Sequence, residues 1–285
     1  MRKDIFFLWL SLSLLVVSAA FATPLLIPAT LPIVSVFFPF LVGGGALALY
    51  LVRQKSGTDR QIPHLFTFGR PWDRKLMLSA FWTFLLSTVG FPAVHWLFSA
   101  ESYSVRYISN IPTALVYWAI VLICVPVQAT IEEILFRVLP ARFALIQPPS
   151  SGRPGSVWSR QGLSLFSAAF FVLPHLGNPE VASASPVLPL LLFYALFGYG
   201  TMWLSLESGG FEAAIGMHIA NNIGAGIFFS YPVSALPSPS LFVVESPAGS
   251  MLDILQLFVS LSLVWLVIHY KKRRQEHLHG GSING

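Results

Sequence analysis

Charge is what this sequence has least of. Asp, Glu, Lys and Arg make up 10% of the 285 residues, while 55% are hydrophobic; an average soluble domain carries roughly 25% charged residues. So little charge excludes a water-soluble globule and leaves a surface meant mostly for lipid. Cysteine is almost missing as well. Cys124 stands alone in the run VYWAIVLICV, which excludes an intrachain disulfide and any thiolate-based metal centre, so the residue reads as small apolar filler. No HExxH helix and no internal repeat occur. The net charge of +5 comes without a stripe of basic residues interleaved with exposed aromatics, and nucleic acid is therefore excluded as a partner.

What is present is a series of long apolar runs. A helix needs roughly 20 apolar residues to cross the hydrocarbon core, and eight runs approach that length, at about 5–22, 31–52, 76–98, 112–138, 163–176, 187–206, 210–230 and 251–270. The first has the basic start and small-residue end of a signal peptide, but its length and the closely following second run favour a membrane helix. The expected fold class is thus all-α, a polytopic membrane helix bundle of about eight transmembrane helices. Residues 1–270 form a single transmembrane domain whose motif-bearing core is about 112–230, and 271–285 form a basic, disordered cytoplasmic tail.

Lys and Arg sort by membrane side. With the N-terminus inside, one side receives Arg2 and Lys3, then Arg53, Lys55, Arg60, Arg70, Arg74 and Lys75, then Arg142, Arg153 and Arg160, and last Lys271, Lys272, Arg273 and Arg274. Only Arg106 falls on the other side. Eight spans with both termini cytoplasmic fit this pattern, and an odd number would break it. The stretch 53–75, basic and carrying Trp72, reads equally as an interfacial segment on an anionic leaflet or as a plain cytosolic loop. Membrane lipids are implied partners; the oligomeric state is not encoded in any legible way.

Ionisable groups inside a span cost at least about 2.5–3.5 kcal/mol each at the bilayer centre and mark function by default. The fourth run continues as VQATIEEILFRVLP, where Glu133 and Arg137 are spaced i,i+4 and can pair on one helix face while Glu132 points about 100° away. The fifth run places Phe171 four residues before His175, with Pro174 between them, a residue expected to kink or end the helix beside the imidazole. In the seventh run, AAIGMHIANNIGAG, His218 and Asn222 again share a face amid Gly216, Gly224 and Gly226, small residues that let helices approach closely. Taken singly these are weak signals, since an intramembrane His can be a packing residue and a Glu/Arg pair a neutralised helix end. As a set on three helices they can perform acid and base chemistry.

In that order on apolar helices, EExxxR (Glu132, Glu133, Arg137), FxxxH (Phe171, His175) and HxxxN (His218, Asn222) resemble the CPBP family of intramembrane endopeptidases. That family includes the CAAX prenyl-protein proteases and the bacterial bacteriocin-processing and self-immunity proteins. The resemblance covers about 130–225 and leaves the N-terminal third without a family motif. It implies an eight-helix core, membrane-associated peptide or protein substrates of CAAX type or related, and hydrolysis by water without a covalent intermediate. Glu132 would act as general base with His175 holding the water. His218 and Asn222 would donate to the oxyanion, and the spacing, not the resemblance, suggests that Glu133 with Arg137 orients Glu132. No cofactor is required in that scheme. The alternative is zinc on Glu132, His175 and His218, a His₂Glu set of the kind soluble metalloproteases use.

Two other classes compete. A catalytically silent scaffold or immunity protein that binds a peptide or partner helix would keep the fold without the chemistry, but the motif set is intact. A proton-coupled transporter would call for repeated halves with paired broken helices, and no repeat is visible. The expectation is an intramembrane protease in the plasma membrane of a prokaryote.

Overall fold

Where lipid replaces water, every backbone N–H and C=O has to find its partner inside the protein, and a helix does this within one segment. A computed structural model of the protein describes residues 2–27, 32–55, 66–99, 102–105, 110–144, 157–244 and 250–280, and nearly all of them are helical. The long helices are α1 (Arg2–Leu26), α2 (Pro32–Lys55), α3 (Arg74–Trp96) and α4 (Ile111–Glu133). After α4 come a π-helical turn (Ile134–Val138) and α5 (Leu139–Ala144) without a break. Then follow α6 (Val157–His175), the short α7 (Pro179–Ser183), α8 (Leu188–Ser208) and α9 (Glu212–Ile223). A second π turn (Gly224–Phe228) and α10 (Met251–Gly280) complete the order. The protein is an integral membrane helix bundle.

Each of the eight apolar runs is a helix. Among the described residues, six segments are long and apolar enough to cross a membrane: Asp4–Leu26, Pro32–Val52, Arg74–Trp96, Ile111–Arg142, Leu188–Ser208 and Met251–Arg274. The other two, α6 and α9, carry His175 and His218. Of the two, α9 is buried along most of its length, while α6 leaves Leu165, Phe166 and Leu173 exposed. The helix starts follow local chemistry: the Asp73 carboxylate accepts from the Leu76 N–H at 2.8 Å and the Asn110 amide oxygen from the Thr113 N–H at 3.0 Å, each a side-chain N-cap. At the far end of α8, Gly209 adopts φ 77°, the left-handed cap that glycine tolerates.

Packing centres on α9, which lies against α3, α4 and α8, while α6 pairs with α8 and α1 with α2. Gly216 lets α9 and α3 touch backbone to backbone: a Cβ there would press on the Met77 carbonyl. Gly198 does the same for α8 and α6, where a Cβ would lie 2.9 Å from Ala168 Cα and 3.0 Å from Phe171 Cβ. Two buried clusters result. One runs through Phe84, Val121, Phe171, Phe197 and Met217. The other joins Leu12, Leu139, Met202, Phe211 and Ile215.

The two ends of the bundle differ. At one end, ion pairs Arg160–Glu207 and Lys272–Glu207 tie α6 and α10 to α8. There Arg70 makes a two-pronged bond to the buried Glu212 at 2.7 and 2.8 Å. Residues 66–73 are thereby folded onto the α8–α9 turn, with Phe66 and Trp72 edge to face. The rest of the expected interfacial stretch, 56–65, lies outside the described residues, as do Arg60, Arg106 and Arg153. The other end carries α7 and a small sheet that the all-helical expectation did not contain, with strands β1 (Tyr103–Val105), β2 (Phe229–Ser230) and β3 (Phe242–Val244) in the order β1-β3-β2. Segments of two or three residues carry no readable alternation. The tail expected from 271 continues α10 as helix through Gly280, and 281–285 lie outside the described residues.

Candidate active site

The chemistry-bearing residues meet where α4 passes into its π turn. Such turns insert an extra residue into the helix and occur often at functional sites. Here the turn begins immediately after Glu133 and contains Arg137. The pairing expected from the i,i+4 spacing forms: Arg137 donates to Glu133 Oε1, both side chains fully buried. On its other side the Arg137 guanidinium lies over the rings of Phe171 at 4.6 Å and Phe197 at 5.7 Å. Those faces accept a flat cation where water is excluded.

Glu133 does not orient Glu132, as the spacing suggested. It accepts from His218 Nδ1 at 2.7 Å, so the Arg137–Glu133 pair holds the imidazole of α9. A carboxylate can only accept, which assigns the proton to Nδ1 and turns Nε2 towards Glu132 Oε2, 3.4 Å away. Glu132 is held by a residue the sequence reading passed over. Gln128, one turn earlier on α4, donates from Nε2 to Glu132 Oε1 at 2.5 Å and accepts from Asn222 Nδ2 at 3.0 Å. Asn221 in turn donates to Asn222 Oδ1 at 3.1 Å. Three amides in series thus fix one carboxylate oxygen. The other, Glu132 Oε2, is buried with no hydrogen-bond partner.

His175 comes from the opposite side. Pro174 ends α6 as its position led one to expect, and His175 Nδ1 donates to the Phe171 carbonyl at 2.6 Å, leaving Nε2 as an acceptor. Its ring lies 4.3 Å from Phe171 and 4.5 Å from Tyr194, while Phe171 lies 5.6 Å from His218. Phe171 is therefore the wedge between the two histidines and the arginine.

Glu132, His175, His218 and Asn222 all line one cavity of about 320 Å³. Glu133 and Arg137 stand behind it. Among the described residues, no three His, Cys, Asp or Glu side chains converge as a metal-holding group. As His218 stands, both its nitrogens face carboxylates, and His175 has Nδ1 engaged by a carbonyl. In both histidines it is therefore Nε2 that is left to act on the cavity side.

Sequence reading missed the far wall of the cavity entirely. Glu180 of α7 accepts from Tyr194 Oη at 2.9 Å, from Asn178 Nδ2 at 3.2 Å and from the Ala235 N–H at 2.8 Å. Glu180 sits in 177–186, a stretch rich in Pro, Ser and Ala between two apolar runs, where nothing in the sequence marks it. For Gln128 a signal did exist, since it sits at i−4 from Glu132 on the same helix.

Fold and site together define a membrane-embedded helical protein with a buried glutamate, histidine and amide cluster opening on a cavity. A family model described as Type II CAAX prenyl endopeptidase Rce1-like matches residues 111–224, the segment that holds all three motifs, and the resemblance those motifs carry is borne out by it. The chain is also 24% identical over 203 residues to the uncharacterized protein YyaK of Bacillus subtilis (strain 168), a match covering 70% of this chain and 63% of that relative. The chain thus spans less than two thirds of the curated relative it matches. No solved structure matches.

Proposed function

We propose that the protein is an intramembrane endopeptidase that hydrolyses a peptide bond of a membrane-associated protein or peptide with a water molecule activated by Glu132. The observation that carries this reading is the unpartnered Glu132 Oε2, buried, lining the cavity, and held in place through Oε1 by Gln128. A carboxylate oxygen in that position accepts a proton from water, which the Nε2 lone pair of His175 helps to orient. The oxygen of the water bonds to the scissile carbonyl carbon, its proton passes to Glu132, and Glu132 returns it to the leaving amine.

Charge then develops on the carbonyl oxygen. The Asn222 amide, which gives one N–H to Gln128, has a second to offer, and His218, whose Nδ1–H is held by Glu133, donates from Nε2 only as the imidazolium. Removing one such donor typically lowers kcat by about 10²–10³. The buried pair Glu133–Arg137 acts through His218, by fixing its tautomer and ring plane. The family model that covers these residues supports a peptidase. We further infer that no metal takes part, and that both termini face the cytoplasm in the plasma membrane of a prokaryote.

The test is cleavage of a quenched membrane-peptide library by purified wild type, Glu132→Ala and His218→Ala, each with and without a zinc chelator and with folding checked in parallel. Loss of cleavage in both variants without chelator sensitivity is expected. Chelator sensitivity would move the mechanism to zinc, and persistent cleavage by both folded variants would remove Glu132 and His218 from the reaction.

A further inference from the structure

The polar wall of the cavity is acidic. Besides Glu132, the carboxylates of Glu180 and Asp253 line it, and no Lys or Arg does so among the described residues. Arg137 is sequestered behind Phe171 and paired with Glu133. Glu180 is 9% exposed, and it accepts from the neutral donors Tyr194, Asn178 and the Ala235 N–H. Those bonds position a charge without cancelling it. Glu132, 5% exposed, has an oxygen with no hydrogen-bond partner on the same cavity. A group that enters this space meets negative potential in a low-dielectric wall, where charge matters more than in water.

The spacing says where. Tyr194 bonds Glu180 through its hydroxyl at 2.9 Å while its ring lies 4.5 Å from His175. One aromatic ring therefore separates Glu180 from the proposed water-holding histidine, the reach of a long side chain one to three residues from the scissile bond. We propose that the cavity takes a peptide segment carrying a Lys or Arg side chain close to the scissile bond, received by Glu180. A free C-terminal carboxylate at that distance is disfavoured. The substrate class is then a basic, membrane-associated peptide cut at an internal bond, and not a chain cut next to its own C-terminus.

The position of the charge relative to the cut rests on the peptidase reading; the charge preference is read by binding alone. Labelled peptides of one apolar sequence, differing only in Lys, Ala or Glu at one central position, are titrated against the protein in nanodiscs. The Ala peptide is tested with both an amidated and a free C-terminus placed three residues away. Binding is expected to order as Lys tighter than Ala tighter than Glu, with steps of about tenfold, and amide tighter than free carboxylate. Glu180→Gln brings the Lys-to-Ala ratio to about twofold or less, and Glu180→Asp restores it. Should the Gln variant not fold, the wild-type peptide series decides by itself. Equal binding of all peptides, or preference for the free carboxylate, overturns the proposal. Charge-ordered binding with no cleavage of any peptide would reject the peptidase while leaving the acidic subsite intact, and cleavage without charge order would reject the subsite alone.

Discussion

Arg137 shows how tightly single residues are coupled here. It is a fully buried cation that donates to Glu133 and lies against two phenyl faces. Removing one partner of a buried pair leaves the other charge unpaired, at about 3–5 kcal/mol. Arg137→Met is expected to lose that much stability, read as thermal unfolding in detergent, and Glu133→Gln in the same chain to recover a large part. Arg137→Lys keeps the charge but lacks the flat face, and should recover little. Gln128 belongs to the same scale. Gln128→Ala frees both Glu132 Oε1 and the Asn222 amide, so kcat is expected to fall by about 10² with KM nearly unchanged. A KM effect of the same size would make Gln128 a substrate contact and not a positioning residue.

Among the elements, legibility tracked length and period. The six long apolar helices were readable because lipid demands an unbroken run, and the three motifs fell on α4, α6 and α9 because intramembrane polar groups are rare enough to stand out. Gln128, Asn178, Glu180 and Tyr194 did not stand out. An amide in a helix and polar residues in a short cap look like ordinary boundary chemistry until the fold closes them around a cavity. The π turns after Glu133 and after Ile223 were also unreadable, since no residue type encodes them. Close helix contact was partly readable from the glycines. Gly216→Ala, whose Cβ would meet the Met77 carbonyl, is expected to lose about 1–3 kcal/mol. Gly90→Ala, with open space around it, is expected to be neutral or slightly stabilising. Unfolding temperatures of the two variants, compared side by side, check the contrast.

For the molecule as a whole, six of the described helices are long and apolar enough to cross a membrane, with α6 and α9 packed among them. With the termini cytoplasmic, as we infer from the distribution of Lys and Arg, single cysteines introduced near each end of a Cys124→Ala chain should react with a membrane-impermeant maleimide only in inverted vesicles. Labelling of either end in right-side-out vesicles would contradict that orientation. The acidic cavity would then open towards the end with α7 and the small sheet, opposite the ion pairs of Arg160 and Lys272 with Glu207.

The shortness of α9 bears on how the protein is made. Its 12 α-helical residues extend about 18 Å at 1.5 Å per residue, well under the roughly 30 Å of the hydrocarbon core, and they carry His218, Asn221 and Asn222. Released alone into lipid during synthesis, such a segment has no reason to stay. What retains it is the backbone seam with α3 at Gly216 and the hydrogen bond that His218 donates to Glu133, so α9 settles against α3 and α4 once they are in place. The catalytic constellation we propose is then among the last parts of the molecule to exist, and a nascent chain still being threaded into the bilayer has no working site with which to cut its neighbours.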